Sequence, residues 1–226
     1  SMASIRACAS EVTASHQSLD MLINNAGMIT AKPELSTDGI ELTFATNHLG
    51  PFLLTQLLLG TLRAAPRARI VNLASNFHGS GGLDLEHLTP GKRYRWAKSY
   101  SRSKLANVMT TLTLARVLQG TAVTANCLHP GIVTSNIVPR NSPILHWAAK
   151  RVKGLMRTPE QGAATTIYLA LSPEVRDITG QYYDADQNII APSARALDRC
   201  AQHRLWQKSL EVVGLEQPAS GATPRD

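Results

Sequence analysis

Tyr100 and Lys104 stand four positions apart in a stretch with helical character. On an α-helix of about 3.6 residues per turn, side chains at this spacing project from the same face. A free phenol has a pKa of about 10, too high for ready proton exchange at neutral pH, and a neighbouring ammonium favours the phenolate. The pair therefore predicts an acid–base tyrosine assisted by a lysine. The alternative is an exposed polar helix in which the spacing arises by chance.

Ser75 is a second candidate, because it ends the run RIVNLAS at residues 69–75. The β-branched and apolar residues of this run predict a buried strand that delivers Ser75 at its carboxyl end. A hydroxyl there can donate a hydrogen bond to a carbonyl oxygen as negative charge develops on it. A turn or cap residue is the alternative interpretation of this serine.

Two further strand ends point in the same direction. Residues 19–23 run into the sequence NNAG at 24–27, and residues 121–128 run into HPGIV at 129–133. Small and amide residues after a strand let a ligand approach the backbone closely. Strands that alternate with long helical stretches predict a parallel sheet, in which ligands bind beyond the carboxyl ends. We therefore expect three strand ends to converge on one crevice.

The pattern of apolar and breaker residues predicts the order of the elements. Helices are expected near residues 4–15, 38–63, 100–118, 159–171 and 194–213, and strands near 21–23, 70–73, 123–128 and 180–184. Pro51 removes a backbone donor and should bend the second helix. Residues 136–156 mix apolar side chains, including Leu145 and Trp147, with prolines and basic residues. This segment is either a lid over a lipophilic substrate or an amphipathic surface helix.

In combination, these motifs resemble the classical short-chain dehydrogenase/reductase family, and more closely its retinol dehydrogenase-like branch. The resemblance covers nearly all of the chain except its last residues. The matching runs are NNAG at 24–27, NHLG at 47–50, FLLT at 52–55, IVNLAS at 70–75, Tyr100 with Lys104, HPG at 129–131 and TPEQGAA at 158–164.

The resemblance implies a Rossmann-type doubly wound α/β fold and an NAD(P)-dependent oxidoreductase that interconverts a lipophilic alcohol with an aldehyde or ketone. It implies that Tyr100 is the general acid/base, that Lys104 lowers the Tyr100 pKa and holds the nicotinamide ribose, and that Ser75 orients the substrate oxygen. Asn47 would position the water of a proton relay that ends at Lys104. The implied cofactor-binding residues are Asn24, Ala26, Gly27, Tyr100, Lys104, Pro130, Gly131, Val133 and Ser135.

The sequence also departs from the family, because it contains no TGxxxGxG phosphate-binding loop. Its opening residues resemble the helix before the fourth strand of the family, so we expect residues 1–226 to form a single but partial domain that lacks the first strands. The choice between NADP and NAD stays open, since the discriminating residues would lie in that part. The glycine cluster at 79–82 is predicted to be a flexible loop. The rival hypothesis is a noncatalytic fragment that acts through protein contacts.

Composition limits the remaining classes of function. The 226 residues are 43% hydrophobic, which is typical of a globular protein, and the three cysteines show no paired spacing, which favours a reducing compartment. The seven histidines form no metal-ligand pattern, so no metal is expected. The net charge of +7 permits contact with anions, but no nucleic-acid motif accompanies it. We expect a cytoplasmic protein, or one associated with a membrane through a missing N-terminal segment; a homodimer stays open.

Overall fold

A five-stranded sheet runs through the chain in sequence order. In the computed structural model, which describes residues 1–91, 93–134 and 156–216, the first four strands are parallel, and the fifth pairs antiparallel with the fourth. The strands are β1 (Met21–Asn24), β2 (Ala68–Leu73), β3 (Val123–Leu128), β4 (Tyr182–Tyr183) and β5 (Ile189–Ile190).

Helices connect these strands and cover the sheet. They are α1 (Met2–Ser15), α2 (Leu42–Phe44), α3 (Gly50–Ala64), α4 (Trp96–Val117), α5 (Pro159–Leu171), α6 (Ala194–Leu197) and α7 (Arg199–Val213). A π-helical turn, Ala45–Leu49, joins α2 to α3, and short 3-10 helices occupy Asn76–Ser80 and Pro173–Val175. Within the described residues, no helix combines the length and the apolar character needed to cross a bilayer.

The core lies on both faces of the sheet, because successive residues of a strand point to opposite sides. Ile70 of β2 packs on one face with Leu62 of α3 and Leu114 of α4. Val71, the next residue, packs on the other face with Leu169 of α5. A parallel sheet with helices on both faces confirms the predicted Rossmann-type doubly wound fold.

The predicted helix over residues 38–63 is interrupted in the structure. It begins as α2 at Leu42, widens into the π turn and continues as α3. Gly50 donates its backbone N–H to the carbonyl oxygen of Ala45, five residues earlier, and Pro51 follows in the first turn of α3. The missing amide hydrogen of Pro51 is thus accommodated by a wider turn.

Three other expectations differ from the structure. The strand predicted over 180–184 shortens to Tyr182–Tyr183, and the antiparallel partner Ile189–Ile190 was not predicted. The helix predicted over 194–213 divides at Asp198, whose side chain accepts from the Ala201 N–H and begins α7. The glycine cluster forms no simple loop, because its first residues lie in the 3-10 helix. Residues 136–155 of the predicted lid or surface helix lie outside the described part of the chain.

Candidate functional site

Three strand ends meet at one edge of the sheet, as predicted. Asn24 at the end of β1 is in register with Asn72 of β2, and Leu73 is in register with Leu128 at the end of β3. The Ala74 N–H still donates to the Leu128 carbonyl oxygen at 2.7 Å. The residues that follow each strand, at 25–27, 74–75 and 129–133, therefore leave the sheet side by side.

Helix α4 brings Tyr100 and Lys104 to this edge. Both residues are buried, with 9% and 3% of their surface exposed, and the Lys104 Nζ lies 5.7 Å from the centroid of the Tyr100 ring. The Lys104 ammonium donates to the Leu73 carbonyl oxygen at 2.9 Å. This hydrogen bond ties the helix that carries the tyrosine to the end of β2.

Burial dominates the proton affinities of this pair. It lowers the pKa of Lys104 to about 8, because a charged ammonium is disfavoured away from water. It also raises the pKa of Tyr100, an effect that the neighbouring Ser75 hydroxyl opposes. The phenol pKa thus lies above its ordinary value, opposite to the predicted direction, because desolvation outweighs the groups that favour the phenolate.

Ser75 follows β2 in an extended conformation, with φ −166° and ψ 153°. Its Oγ accepts the backbone N–H of Phe77 at 3.3 Å. Because this bond uses a lone pair of the oxygen, the hydroxyl hydrogen is left to donate. The Phe77 ring stands edge-on to the Tyr100 ring, with centroids 6.0 Å apart, and is 50% exposed.

Asn47 lies in the π turn and is fully buried. Its Oδ1 accepts the Met28 N–H at 2.8 Å, and its Nδ2 donates to the Met28 carbonyl at 3.0 Å and to the Ser103 Oγ at 3.0 Å. The side chain therefore holds the segment after β1 against α4. Pro51, four residues later, has no N–H, so the Asn47 carbonyl cannot receive the ordinary helical hydrogen bond.

The residues after β1 divide between interior and surface. The Asn24 side chain turns inward, where its Nδ2 donates to the Asn72 Oδ1 at 2.7 Å and to the Thr55 Oγ1 at 3.1 Å. Ala26 and Gly27 are exposed. A Cβ at Gly27 would lie 3.5 Å from the Asn47 Oδ1 and 3.6 Å from the Lys104 Nζ. Gly27, Asn47 and Lys104 thus border one space.

The segment after β3 is held from a different direction. Gly131 has a φ of +78°, and a Cβ there would lie 3.0 Å from the Arg157 Nε. Val133 pairs with Arg157 in an isolated parallel bridge, in which Arg157 donates to Ile132 at 2.8 Å. Pro130, Gly131 and Val133 share the sheet edge with Ser75, but the hydrogen bonds found in the described chain do not join them to Tyr100. Ser135 lies outside the described residues.

Sequence reasoning missed a buried polar group beside Tyr100. The Glu41 carboxylate accepts the N–H groups of Thr43 and Phe44 at 2.9 Å each, and it also accepts the Ser99 hydroxyl. The Arg102 Nη2 lies 3.7 Å from this carboxylate. Ser99 and Arg102 flank Tyr100 on α4, so Glu41 anchors the start of the site helix. A lone glutamate in an apolar stretch is the signal that was available.

Among the described residues, no group of three or more His, Cys, Asp or Glu side chains is placed to hold a metal ion. What the structure supplies is a buried tyrosine, a buried lysine with free donor capacity, and a serine hydroxyl at the carboxyl end of a parallel sheet. Such an arrangement can move a proton to or from a ligand oxygen.

Comparison with known proteins agrees with this geometry. Residues 1–143 match the family described as short chain dehydrogenase. Human retinol dehydrogenase 14 is 40% identical over 225 residues, which cover 95% of this chain and 65% of that protein. The chain therefore spans just under two thirds of the length of this relative.

Solved structures show the same fold. An uncharacterised protein from Mycobacterium paratuberculosis matches with a TM-score of 0.74 and 30% identity, over 96% of this chain and 74% of that one. A blue fluorescent protein from a metagenomic library, solved in complex with NADPH, matches with a TM-score of 0.61 and 25% identity, over 84% and 73% of the two chains. This chain belongs to the short-chain dehydrogenase family.

Proposed function

We propose that this chain carries the catalytic residues of an NAD(P)-dependent oxidoreductase that interconverts a lipophilic alcohol with an aldehyde or ketone. The observation that carries the proposal is the placement of Tyr100 and Lys104, buried on one face of α4, next to the Ser75 hydroxyl at the end of β2. Because the chain spans 65% of retinol dehydrogenase 14, the activity of the whole protein is part of the proposal.

The residues present fit the nicotinamide and ribose part of the cofactor. An ammonium has three N–H donors, and the Leu73 carbonyl engages one of those of Lys104 at 2.9 Å. The others are available to ribose hydroxyls in the space beside Gly27. Lys104, the backbone of 24–27 and residues 130–133 would hold the cofactor. When bound, the nicotinamide supplies or accepts a hydride. The NADPH complex of the structural relative supports NADP, with NAD as the alternative.

Tyr100 would give its proton to the carbonyl oxygen during reduction and take it from the alcohol during oxidation. Burial raises the pKa of Tyr100, so the phenol holds the proton that reduction requires, and release of that proton would depend on the groups that favour the phenolate, Ser75 and Lys104. Ser75 would donate its hydroxyl hydrogen to the same oxygen, since the Phe77 N–H engages only a lone pair of the Ser75 Oγ. Lys104 would stabilise the phenolate that remains after proton transfer.

Asn47 would contribute through its backbone. Its side chain is committed to Met28 and Ser103, while Pro51 leaves its carbonyl oxygen without the usual helical donor. That oxygen is suited to hold a water molecule from which Lys104 is reprotonated. This role sharpens the relay expected from the sequence, in which the residue alone was named.

A lipophilic substrate is supported by Phe77. An aromatic ring that is 50% exposed beside a buried tyrosine offers an apolar wall at the point where the substrate oxygen would sit. The name of the relative retinol dehydrogenase 14 points to the same class of compound. Retinol and retinaldehyde are therefore the first substrates to test.

The experiment uses the native protein that contains this chain. Binding of NADPH and NADH is measured by titration calorimetry, and reduction of retinaldehyde is followed by cofactor oxidation. We expect saturable binding of at least one cofactor and turnover that depends on it. A protein that binds a cofactor but turns over no carbonyl compound, or that binds neither cofactor, would favour the noncatalytic alternative.

A further inference from the structure

We propose that His78 is a positioning residue for Ser75, an inference that rests on the proposed role of Ser75 in orienting the substrate oxygen. His78 lies three residues after Ser75 in the 3-10 helix and is 6% exposed. Its Nδ1 lies 2.8 Å from the Ser75 carbonyl oxygen, and its Nε2 lies 3.0 Å from the backbone nitrogen of Ser193. The ring therefore bridges the serine to a distant part of the chain.

The two contacts determine the tautomer of the ring. A backbone N–H can only donate, so the His78 Nε2 must accept from Ser193. In a neutral imidazole the hydrogen then resides on Nδ1, which donates to the Ser75 carbonyl. The same carbonyl accepts the backbone N–H of His78 at 3.0 Å. One residue thus binds the Ser75 carbonyl twice.

The hydrogen bond from His78 to Ser75 lies just beyond the point where the chain leaves the sheet. Ala74 still donates across the sheet to Leu128, at 2.7 Å. The carbonyl of Ser75, the next residue, is bound by His78 instead. Fixing this peptide fixes the direction of the Ser75 Cα–Cβ bond, and the Phe77 N–H, at 3.3 Å from the Ser75 Oγ, selects the rotamer of the hydroxyl.

The far side of the ring is equally constrained. The His78 ring stands edge-on to the Tyr182 ring of β4, with centroids 5.0 Å apart. Ser193 is the N-cap of α6, and its Oγ accepts from the Ala196 N–H. The ring therefore connects Ser75 to β4 and to the N-cap of α6. Both lie far along the chain; His78 and Ser193 are 115 residues apart in the sequence.

A pair of substitutions separates the two ends of the bridge. In His78→Asn, the side-chain amide nitrogen occupies the place of Nδ1 and keeps the donor to Ser75, but the contact with Ser193 is lost. In His78→Gln, the side-chain oxygen reaches the place of Nε2 and keeps the contact with Ser193, but the donor to Ser75 is lost. Each variant loses the imidazole ring and one of the two hydrogen bonds, so the comparison asks which of the two bonds supports kcat.

We expect His78→Gln to lower kcat by about 10- to 100-fold with little change in KM, because a small displacement of an aligned group costs this much in rate. His78→Asn should keep kcat close to that of the unsubstituted protein, with a similar loss of Tm. Equal losses of kcat in both variants, or no loss in either, would overturn the proposal. If His78→Gln does not fold, His78→Leu, which lacks both hydrogen bonds, is compared with His78→Asn, which keeps the donor to Ser75. A loss of kcat of about 10- to 100-fold in His78→Leu that His78→Asn does not share supports the proposal, and equal kcat in these two variants overturns it.

A spectroscopic measurement keeps this inference separate from the proposed function. Nitrogen-15 shifts of the His78 ring should show a protonated Nδ1 and an accepting Nε2. The opposite tautomer would refute the bridge whether or not the protein turns over. Absence of turnover with the expected tautomer would instead count against the proposed function, and a structural bridge without an effect on kcat would overturn the positioning role.

Discussion

The strand ends at Ser75 and at Gly131 border the same crevice but are held in different ways. After β2, the chain is bound by buried partners: the His78 ring takes the Ser75 carbonyl, and the turn that follows lies against α4. After β3, the chain is bound by a backbone bridge to Arg157, whose guanidinium reaches the exposed Asp186 at 2.7 Å. The contacts at the first strand end hold Ser75 in place, whereas those at the second hold the backbone through the bridge to Arg157. In the proposed function, the first strand end carries the hydroxyl that would orient the substrate oxygen, and the second lies among the segments that would hold the cofactor.

The largest effect should come from removing the phenol on the first side. Tyr100→Phe removes a proton donor with almost no change of volume, and loss of a general acid costs about 100- to 10,000-fold in rate. We expect turnover to fall within that range while the affinity for NADPH stays mostly intact. Steady-state kinetics and calorimetry check this outcome. Near-normal turnover would remove Tyr100 from the mechanism.

The buried charge on the first side should appear in the pH dependence of stability. The pKa of Lys104 is 10.5 in the unfolded chain and about 8 in the folded chain, so between these pH values the folded chain binds fewer protons. Its free energy of unfolding therefore rises with pH in that window, by about 3 kcal/mol relative to Lys104→Met, since each pH unit contributes about 1.36 kcal/mol. Urea denaturation across the window measures the difference.

Lys208→Met is the matched control for that experiment. The partly exposed Lys208 ammonium lies 2.7 Å from the Glu211 carboxylate, which raises the pKa of Lys208. A raised pKa contributes stability that is lost as the pH rises, so the sign is opposite to that expected for Lys104. A difference for Lys104 that stays flat with pH would contradict the burial of a charged lysine.

The next largest effect should come from the close approach of Gly81 to the backbone of α4. A Cβ at Gly81 would lie 2.6 Å from the Ser101 carbonyl oxygen, and Ser101 follows Tyr100 on α4. Gly81→Ala should lower the free energy of unfolding by about 1–3 kcal/mol, the usual cost of overpacking, and should reduce turnover by displacing the helix. At Gly79 the nearest atom to an added Cβ is 3.9 Å away, so Gly79→Ala should change neither quantity. Thermal melts and steady-state kinetics of Gly81→Ala and Gly79→Ala measure the expected difference.

The second strand end should be the most tolerant. Asp186→Asn removes the charge that faces Arg157, and both side chains are partly exposed, by 69% and 32%. Exposed ion pairs contribute about 0.2–1 kcal/mol, so we expect a loss of unfolding free energy within that range and unchanged turnover. A larger loss, or a change in NADPH affinity, would show that the two strand ends are not held as differently as their contacts indicate.

What the sequence could predict depended on how locally each feature is encoded. The spacing of Tyr100 and Lys104 and the end of the strand at Ser75 are local patterns, and the structure brings these residues together. The contact between His78 and Ser193 joins residues 115 positions apart in the sequence. It can be recognised only when the position of α6 in the tertiary fold is known. The same holds for Glu41 and Arg102, which approach to 3.7 Å through the tertiary fold. The predicted direction of the Tyr100 pKa shift was wrong, because the burial that raises this pKa cannot be judged from residue spacing alone.

The π turn at Ala45–Leu49 has a consequence for helical phase. Each residue of an α-helix advances the direction of its side chain by about 100°, so one additional residue in a turn rotates every later position by about that angle. The side chain of Asn47 can therefore bind Met28 while Thr55, two turns on, still meets Asn24. Deleting one residue of the turn would restore a regular helix and bring one of these two contacts out of alignment. The wide turn thus allows one continuous helical segment to serve both the crevice and the polar interior beneath it.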